Sequence, residues 1–363
     1  MRRQRVAIVY NEPVPSRYDT TGEVKAVLGV LDAVQAVEQS LLELGYTVTL
    51  LPLALPFEQA REKLEHLDVD LVFNLFEGFC GYPETEVLVP EALTELGIPF
   101  TGCQTAMLRL ALDKAGVKVL LKAAGVPTPD YQLLTPQNFS SFQLEYPCIV
   151  KPFGEDASHG ISGESVVRNL VSLEKQVRLI SESYGGRALV ERFIDGREFN
   201  ATVMGKSRYT VLPISEIVYS LPAGLPRVLT FAAKWEADTP YFDGTRAVCP
   251  AEITLEEGER IARTALATFR LLGCKGYARV DMRADATGRI NVIEVNPNPD
   301  ISPGVGAVRQ AGAAGMTYTQ FVEKIIEIAL EKESDDNQYP PDAEEGQTGL
   351  DAYSSGYPRV QTG

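Results

Sequence analysis

Along the first hundred residues, apolar positions fall in short unbroken runs separated by stretches of helical period. Residues 5–10, RVAIVY, predict a buried opening strand, and Thr47–Leu51, Asp70–Leu75 and Ile98–Thr101 predict three more. Val27–Leu44 and Glu84–Leu96 predict helices, each followed by a glycine, Gly45 and Gly97, at the position where a left-handed C-cap suits it. Strands alternating with helices predict an α/β fold with a parallel, doubly wound sheet. No GxGxxG follows the first strand, so this Rossmann-like layer carries no dinucleotide signature.

The pattern then changes. Thr105–Ala124 predicts one helix, ended by Gly125-Val126-Pro127, and Cys148–Lys151 and Ala188–Glu191 predict short strands. Asn200–Leu212 reads as a hairpin around Gly205-Lys206. Residues 220–250 read as a long irregular stretch, and loops of that length in compact domains are commonly functional. Thr254, with Glu257 at capping-box spacing, starts a helix whose stripe is Ile261, Ala265, Phe269 and Leu272. Thr317–Glu331 predicts the last helix, with Phe321, Ile325 and Ile328 or Ala329 facing inward. Beyond Glu333 the apolar period disappears, and a disordered acidic tail is expected.

Chemistry concentrates in residues 276–298, GYARVDMRADATGRINVIEVNPN, which predict two strands joined by a turn at Asp285–Gly288. Alternation puts Arg279 and Asp281 on one face of the first strand, and Glu294 and Asn296 on one face of the second. Val280, Val292, Ile293 and Val295 predict a buried strand pair, where charge is costly unless paired or metal-bound. Asp281, Glu294 and Asn296 are hard oxygen donors of the kind magnesium takes. Arg279 is suited to a transferring phosphoryl group or a developing oxyanion.

Composition narrows the function. The net charge is −15, of which −6 falls in residues 331–363 and −9 in the body, and this argues against nucleic acid. No apolar run reaches the length of a membrane span, and no signal-peptide pattern opens the chain. Five scattered cysteines and two histidines suggest neither a zinc site, a disulfide framework nor a histidine triad; reduced thiols in a cytoplasm fit best.

The run R-V-D at 279–281 followed by E-V-N-P at 294–297 resembles the metal-binding end of the ATP-grasp superfamily, and within it the D-alanine–D-alanine ligase group. The resemblance implies an N-terminal Rossmann-like domain (residues 1–104) followed by two α+β subdomains that clasp ATP. These are a central one with a phosphate loop (105–205) and a C-terminal one with a lid and metal site (206–332), with the tail at 333–363. It implies an ATP-dependent carboxylate–amine ligase acting through an acyl phosphate on small molecules. ATP and two magnesium ions are the expected cofactors, manganese the alternative metal, and a homodimer is left open. Pro99-Phe100-Thr101-Gly102 matches the family's P-x-T-G turn, after which Lys114 would reach an ATP phosphate. IVKP at 149–152, followed by Glu155, Ser158 and Gly160, is similar to the phosphate-covering loop, with Lys151 beside it. The segment E-x-x-x-x-G-x-E implies that Glu191 and the backbone near Arg192 and Phe193 meet adenine, and that Glu198 accepts from ribose hydroxyls. Lys234-Trp235, before Cys249-Pro250-Ala251, matches the lid, where Lys234 would close over the γ-phosphate. Arg279, Lys234 and Ser158 are thereby the expected catalytic residues, and Asp281, Glu294 and Asn296 the metal ligands.

The substrate end departs from the family. Asp300 stands where the family has glycine and Val305 where it has serine, both positions that help bind a substrate carboxylate; Ala157 replaces a common first serine. The N-terminal G-G-x-S-x-E-x-x-V-S signature is missing, leaving Glu12 or Glu23 for a substrate ammonium group, with no choice between them. These changes put D-alanyl-D-alanine synthesis itself in doubt. A ligase for another acid or amine is the alternative, and a nucleotide-binding protein without catalysis a further one. The latter would lose metal ligands or phosphate lysines, and all are kept here.

Overall fold

In the computed structural model, residues 4–14, 16–20, 29–155 and 157–331 are described. Glu23, the start of the first helix and the tail predicted beyond Glu333 lie outside them. The opening strand β1 (Arg5–Asn11) is followed by α1 (Val30–Glu43), β2 (Thr47–Leu53), α2 (Phe57–Glu65), β3 (Leu71–Leu75) and α3 (Leu88–Glu95). β1 lies between β2 and β3 and is parallel to both. Val6 and Ile8 pack on one face with Val34, Val37 and Leu41, and Ala7 and Val9 on the other with Leu53, Leu64 and Leu93. Burial on both faces explains why β1 reads as an unbroken apolar run. The fourth predicted strand shrinks to one bridge, Val72–Phe100. Pro99 has no N–H, and the Asn74 N–H is taken by the Thr101 hydroxyl at 3.0 Å, so the ladder cannot continue.

The single helix predicted over residues 105–124 is two, α4 (Thr105–Leu112) and α5 (Lys114–Ala123). Asp113 breaks it: its carboxylate accepts from Gly116 N at 2.8 Å and caps α5. β4 (Tyr131–Leu134), β5 (Cys148–Pro152), β6 (Val166–Val167), α6 (Leu170–Ser183) and β7 (Ala188–Arg192) form a four-stranded antiparallel sheet, order β4-β7-β5-β6, with α6 packed on it.

A larger antiparallel sheet follows, built from β8 (Glu198–Gly205), β9 (Tyr209–Val211) and β10 (Ser215–Tyr219). The stretch expected to be irregular holds α7 (Phe231–Trp235), α8 (Pro240–Asp243) and β11 (Thr245–Val248). Thr230 and Thr239 cap the two helices through their side chains, a signal that short helices hide from periodicity. After α9 (Leu255–Leu271) come β12 (Gly276–Ala284), β13 (Ile290–Pro297), α10 (Gly306–Ala313) and α11 (Tyr318–Leu330). The order is β11-β10-β8-β12-β13, with β9 on β8. α9 buries Ile261, Ala265 and Phe269 against one face, and Phe321 and Ile325 of α11 join the core of β1 and α1. The C-terminal helix thus ties the first sheet to the last. Among the described residues no helix is long and apolar enough to cross a membrane.

Candidate active site

The β12–β13 pair carries the chemistry. Register places Arg279 opposite Asn296 and Asp281 opposite Glu294, and a bulge then shifts the pairing between Asp281 and Met282. A bulge re-aims side chains locally. Val280 and Met282 point into the core beneath, while the four polar side chains share the other face. The Arg279 guanidinium grips Asp281 with two hydrogen bonds, 2.7 and 2.9 Å. Asn296 Nδ2 donates to Asp281 Oδ2 at 3.0 Å. Burial pushes the Asp281 carboxyl up, and Arg279 opposes that.

Lys114, the first residue of α5, meets Glu294 at 2.8 Å. Burial alone would raise the Glu294 pKa, but Lys114, Lys151 and Arg279 overcome it and hold the carboxyl at about 2. Lys151 on β5 and Lys118 on α5 both bind the fully buried Glu191, at 2.7 and 2.5 Å. Burial disfavours the Glu191 carboxylate, yet two ammonium groups hold its pKa below the usual range. Lys234 on α7 has no hydrogen-bond or ion-pair partner among the described residues. Burial pushes its pKa down, and Arg279 pushes the same way.

The donor set suits a metal. Two carboxylates and a carboxamide of Asp281, Glu294 and Asn296 lie on one face, and the carboxylates are neutralised by Arg279 and Lys114. Half-buried carboxylates that recruit cations fit a hard divalent ion. Among the described residues there is no group of three or more His, Cys, Asp or Glu that could hold a metal, so a magnesium here would draw remaining ligands from phosphate and water.

The other predicted positions divide. Glu198 is paired with Arg283 and accepts from the Tyr219 hydroxyl at 2.6 Å. Arg283 also donates to the carbonyls of Ile194 and Arg227, at 2.8 and 2.6 Å. Arg192 N and Phe193 N donate to Asp130 O and Pro147 O, so their carbonyls, not their N–H groups, remain for a ligand. A cleft of about 590 Å³ opens beside Arg192 and Phe193, but none of the clustered lysines or carboxylates lines it.

Glu155, in the loop similar to the family's phosphate loop, is buried. Its carboxylate is held by Arg17 and by the Tyr18 hydroxyl, 2.7 Å away, from the N-terminal segment. At Gly160 a side chain would strike Pro152 and the Tyr184 ring at 2.8 Å, so packing by itself requires glycine there. Ala157, Ser158 and Gly160 all have positive φ, and the Ser158 carbonyl accepts from Ile161 N at 3.0 Å.

At the substrate end, Glu12 is exposed at the carboxyl edge of β1. Asp300 is exposed, and it is not engaged by Arg309, which donates to Gly304 O. Asp300 Oδ1 instead accepts from Ser302 N at 2.7 Å and Ser302 Oγ at 2.6 Å. Val305 leaves α10 without a side-chain cap, and Arg279 Nη1 lies 3.7 Å from where a Gly306 Cβ would stand.

Sequence reasoning missed Arg17, Tyr18, Lys118, Tyr219 and Arg283. Two had a signal: Lys118 is four residues from Lys114 on one helix face, and Arg283 continues the alternation of Arg279 and Asp281. The others meet their partners only through long-range packing.

A family model described as D-ala D-ala ligase C-terminus matches residues 120–327. The uncharacterized protein y4sG of Sinorhizobium fredii is 35% identical over 71% of this chain and 74% of its own length. The D-alanine–D-alanine ligase of Haemophilus influenzae is 29% identical over 82% of this chain and 94% of its own. The crystal structure of the VanG D-Ala:D-Ser ligase from Enterococcus faecalis superposes with a TM-score of 0.72 at 21% identity, covering 91% of this chain and all of that one. With the ATP-grasp arrangement of sheets and more than half its length matched, the chain belongs to the D-Ala-D-Ala ligase family.

Proposed function

We propose that this protein is an ATP-dependent carboxylate–amine ligase. It transfers the γ-phosphoryl group of ATP to a substrate carboxylate; an amine then attacks the acyl carbon, and ADP and phosphate are released. One observation carries the reading. Lys114, Lys151, Lys234 and Arg279 gather within electrostatic range of Glu294, which shares a strand pair with Asp281 and Asn296. Phosphoryl transfer is catalysed by positioning and charge neutralisation, and this is the equipment for both.

Each residue has a place in that chemistry. Asp281, Glu294 and Asn296 would hold magnesium, which when bound neutralises phosphate oxygens. Lys114 and Lys151 offer cations to phosphate from opposite elements, and Glu191 orients Lys151. Lys234 enters on the lid without a partner of its own, suited to the γ-phosphate. Arg279 faces the reacting carboxylate from beside Asp281 and stabilises the oxyanion as the amine attacks. Closure of the lid keeps water from the acyl phosphate. Gly102 and Asn298 pack together behind the metal strand, with Asn298 Oδ1 accepting from Cys103 N at 2.6 Å. The thiols are all free, which suits a cytoplasmic setting.

The substrates are small molecules carrying a carboxylate and an amine. The decisive experiment measures ADP release against a panel of D- and L-amino acids and short peptides, with mass spectrometry of the product. ADP release that depends on an amine acceptor and yields an amide is expected. Nucleotide binding with no acceptor-dependent turnover across the panel would remove the ligase reading.

A further inference from the structure

The phosphate loop and the lid are held by a segment for which the reaction as described has no use. Residues 17–20 form a single 3-10 turn after the first strand. Tyr18 is buried, and its ring stacks on His159 of the phosphate loop with centroids 3.8 Å apart and planes 5° from parallel. His159 in turn lies 5.4 Å from the Phe231 ring, and Phe231 lies 6.3 Å from Trp235. The column therefore runs from the N-terminal segment, through the phosphate loop, to the lid helix that carries Lys234. A backbone hydrogen bond from Phe231 N to Ile161 O, 3.0 Å, ties the last two together.

The column has a polar clasp beside it. Both oxygens of the buried Glu155 are taken, one by Arg17 and one by the Tyr18 hydroxyl. Burial and the Glu155 charge keep the Tyr18 proton in place, so the tyrosine is the donor. Arg17 and Tyr18 are themselves anchored. Arg17 N donates to Cys80 O at 3.2 Å, and its guanidinium lies 5.0 Å from the Tyr82 ring centre. Gly81 must be glycine, because a Cβ would sit 2.7 Å from the Tyr18 ring, and its φ is +76°.

We propose that Arg17 and Tyr18 are positioning residues for the ligase reaction. They fix Glu155 and His159, hence the phosphate loop, and through Phe231 and Trp235 they hold the lid over the site. The inference rests on the ligase reading for its kinetic consequences but not for its structural one. A charge-assisted clasp joining the phosphate loop to the lid helix sets how long the lid stays shut while an acyl phosphate is present. Opened early, the site admits water, which attacks the acyl phosphate in place of the amine. The substrate carboxylate and phosphate are then released without an amide.

The test uses the full chain with Tyr18→Ala, Tyr18→Phe, Arg17→Ala and Arg17→Lys. Displacement of reacting groups by about 1 Å costs on the order of 100-fold, so Tyr18→Ala should lower kcat about 10- to 100-fold while the KM for ATP changes little. The ADP released per amide formed should rise above one in Tyr18→Ala and Arg17→Ala. Tyr18→Phe, which keeps the stack and loses one hydrogen bond, and Arg17→Lys, which keeps the charge, should recover most of the coupling. Amide hydrogen exchange in residues 157–161 and 231–235 should quicken in the alanine variants. Unchanged exchange in a folded Tyr18→Ala protein overturns the clasp. Faster exchange with unchanged kcat and coupling overturns the positioning role and leaves only packing. If the parent protein shows no ligation at all, the ligase reading fails, and hydrogen exchange still decides the clasp.

Discussion

Lys114 and Glu294 meet at 2.8 Å across the gap between α5 and β13. One is the residue expected to reach phosphate and the other the residue expected to hold metal. Each therefore supplies the counter-charge of the other in this structure.

That pairing sets a pH dependence. The folded Glu294 pKa, about 2, lies below the ordinary carboxylate value of 4.5. A depressed carboxylate stabilises the fold above its unfolded pKa, and the contribution is lost as pH falls through the folded value. The window is thus about pH 4.5 down to about 2. Melting curves should show the wild-type Tm falling more steeply across it than that of Glu294→Gln. The same substitution should lower turnover on the order of 100-fold or more, since it removes a charge from the phosphoryl-transfer site. Full activity in a folded Glu294→Gln protein would refute the metal assignment.

Lys234 should show the opposite balance of stability and activity. It is half-buried with no hydrogen-bond or ion-pair partner among the described residues, and its lowered pKa means that the unfolded chain binds its proton more readily. Stability should therefore rise with pH as pH passes through the folded pKa of Lys234 toward its unfolded value. Lys234→Met should raise Tm while reducing kcat on the order of 100- to 1000-fold, as loss of one transition-state contact does. ADP binding, followed by Trp235 fluorescence, should change far less than turnover. Equal loss of ADP affinity and kcat would assign the lysine a structural role.

Glu198 is a structural anion in its own right. Its partner Arg283 is 4% exposed in its side chain, and Tyr219 shares the same carboxylate oxygen. Removing one member of a buried pair costs about 3–5 kcal/mol, because the other charge is stranded. Glu198→Ala should lose stability of that order in chemical denaturation. Glu198→Gln, which can still accept from Tyr219 and Arg283, should lose less. A destabilisation under about 1 kcal/mol, the range of a surface pair, would contradict the burial.

Asp300 carries the question of the acceptor. Its Oδ1 is satisfied by Ser302, so Asp300→Gly should cost about 1 kcal/mol of stability for the lost hydrogen bonds. The double change Asp300→Gly with Val305→Ser restores the family pattern beside Arg279. It should increase D-alanine-dependent ADP release relative to the parent. Efficient D-alanyl-D-alanine formation by the parent protein, saturating at low D-alanine, would show that Asp300 does not exclude that substrate.

Local pattern was enough for several parts of the protein. RVAIVY is a core strand because Val6, Ala7, Ile8 and Val9 are apolar and bury whichever face they take. Arg279 and Asp281 share a face because a strand has a two-residue period, and α9 begins at Thr254 because a hydroxyl there satisfies an open N–H. Family likeness was legible for the same reason: R-V-D and E-V-N-P each sit close together on one strand. Tertiary structure decided what depends on long closure. Asp113 and the rest of residues 105–124 have helical character throughout, and only the capping hydrogen bond to Gly116 divides them. Glu155 reads as part of a phosphate loop, but Arg17 and Tyr18, well over a hundred residues earlier, take both its oxygens. Lys151 and Lys118 share Glu191 because β5, β7 and α5 pack around one buried carboxylate. Alternation and capping are properties of neighbouring residues. A buried charge finds its partner only when the chain has folded back and removed the water that otherwise serves it.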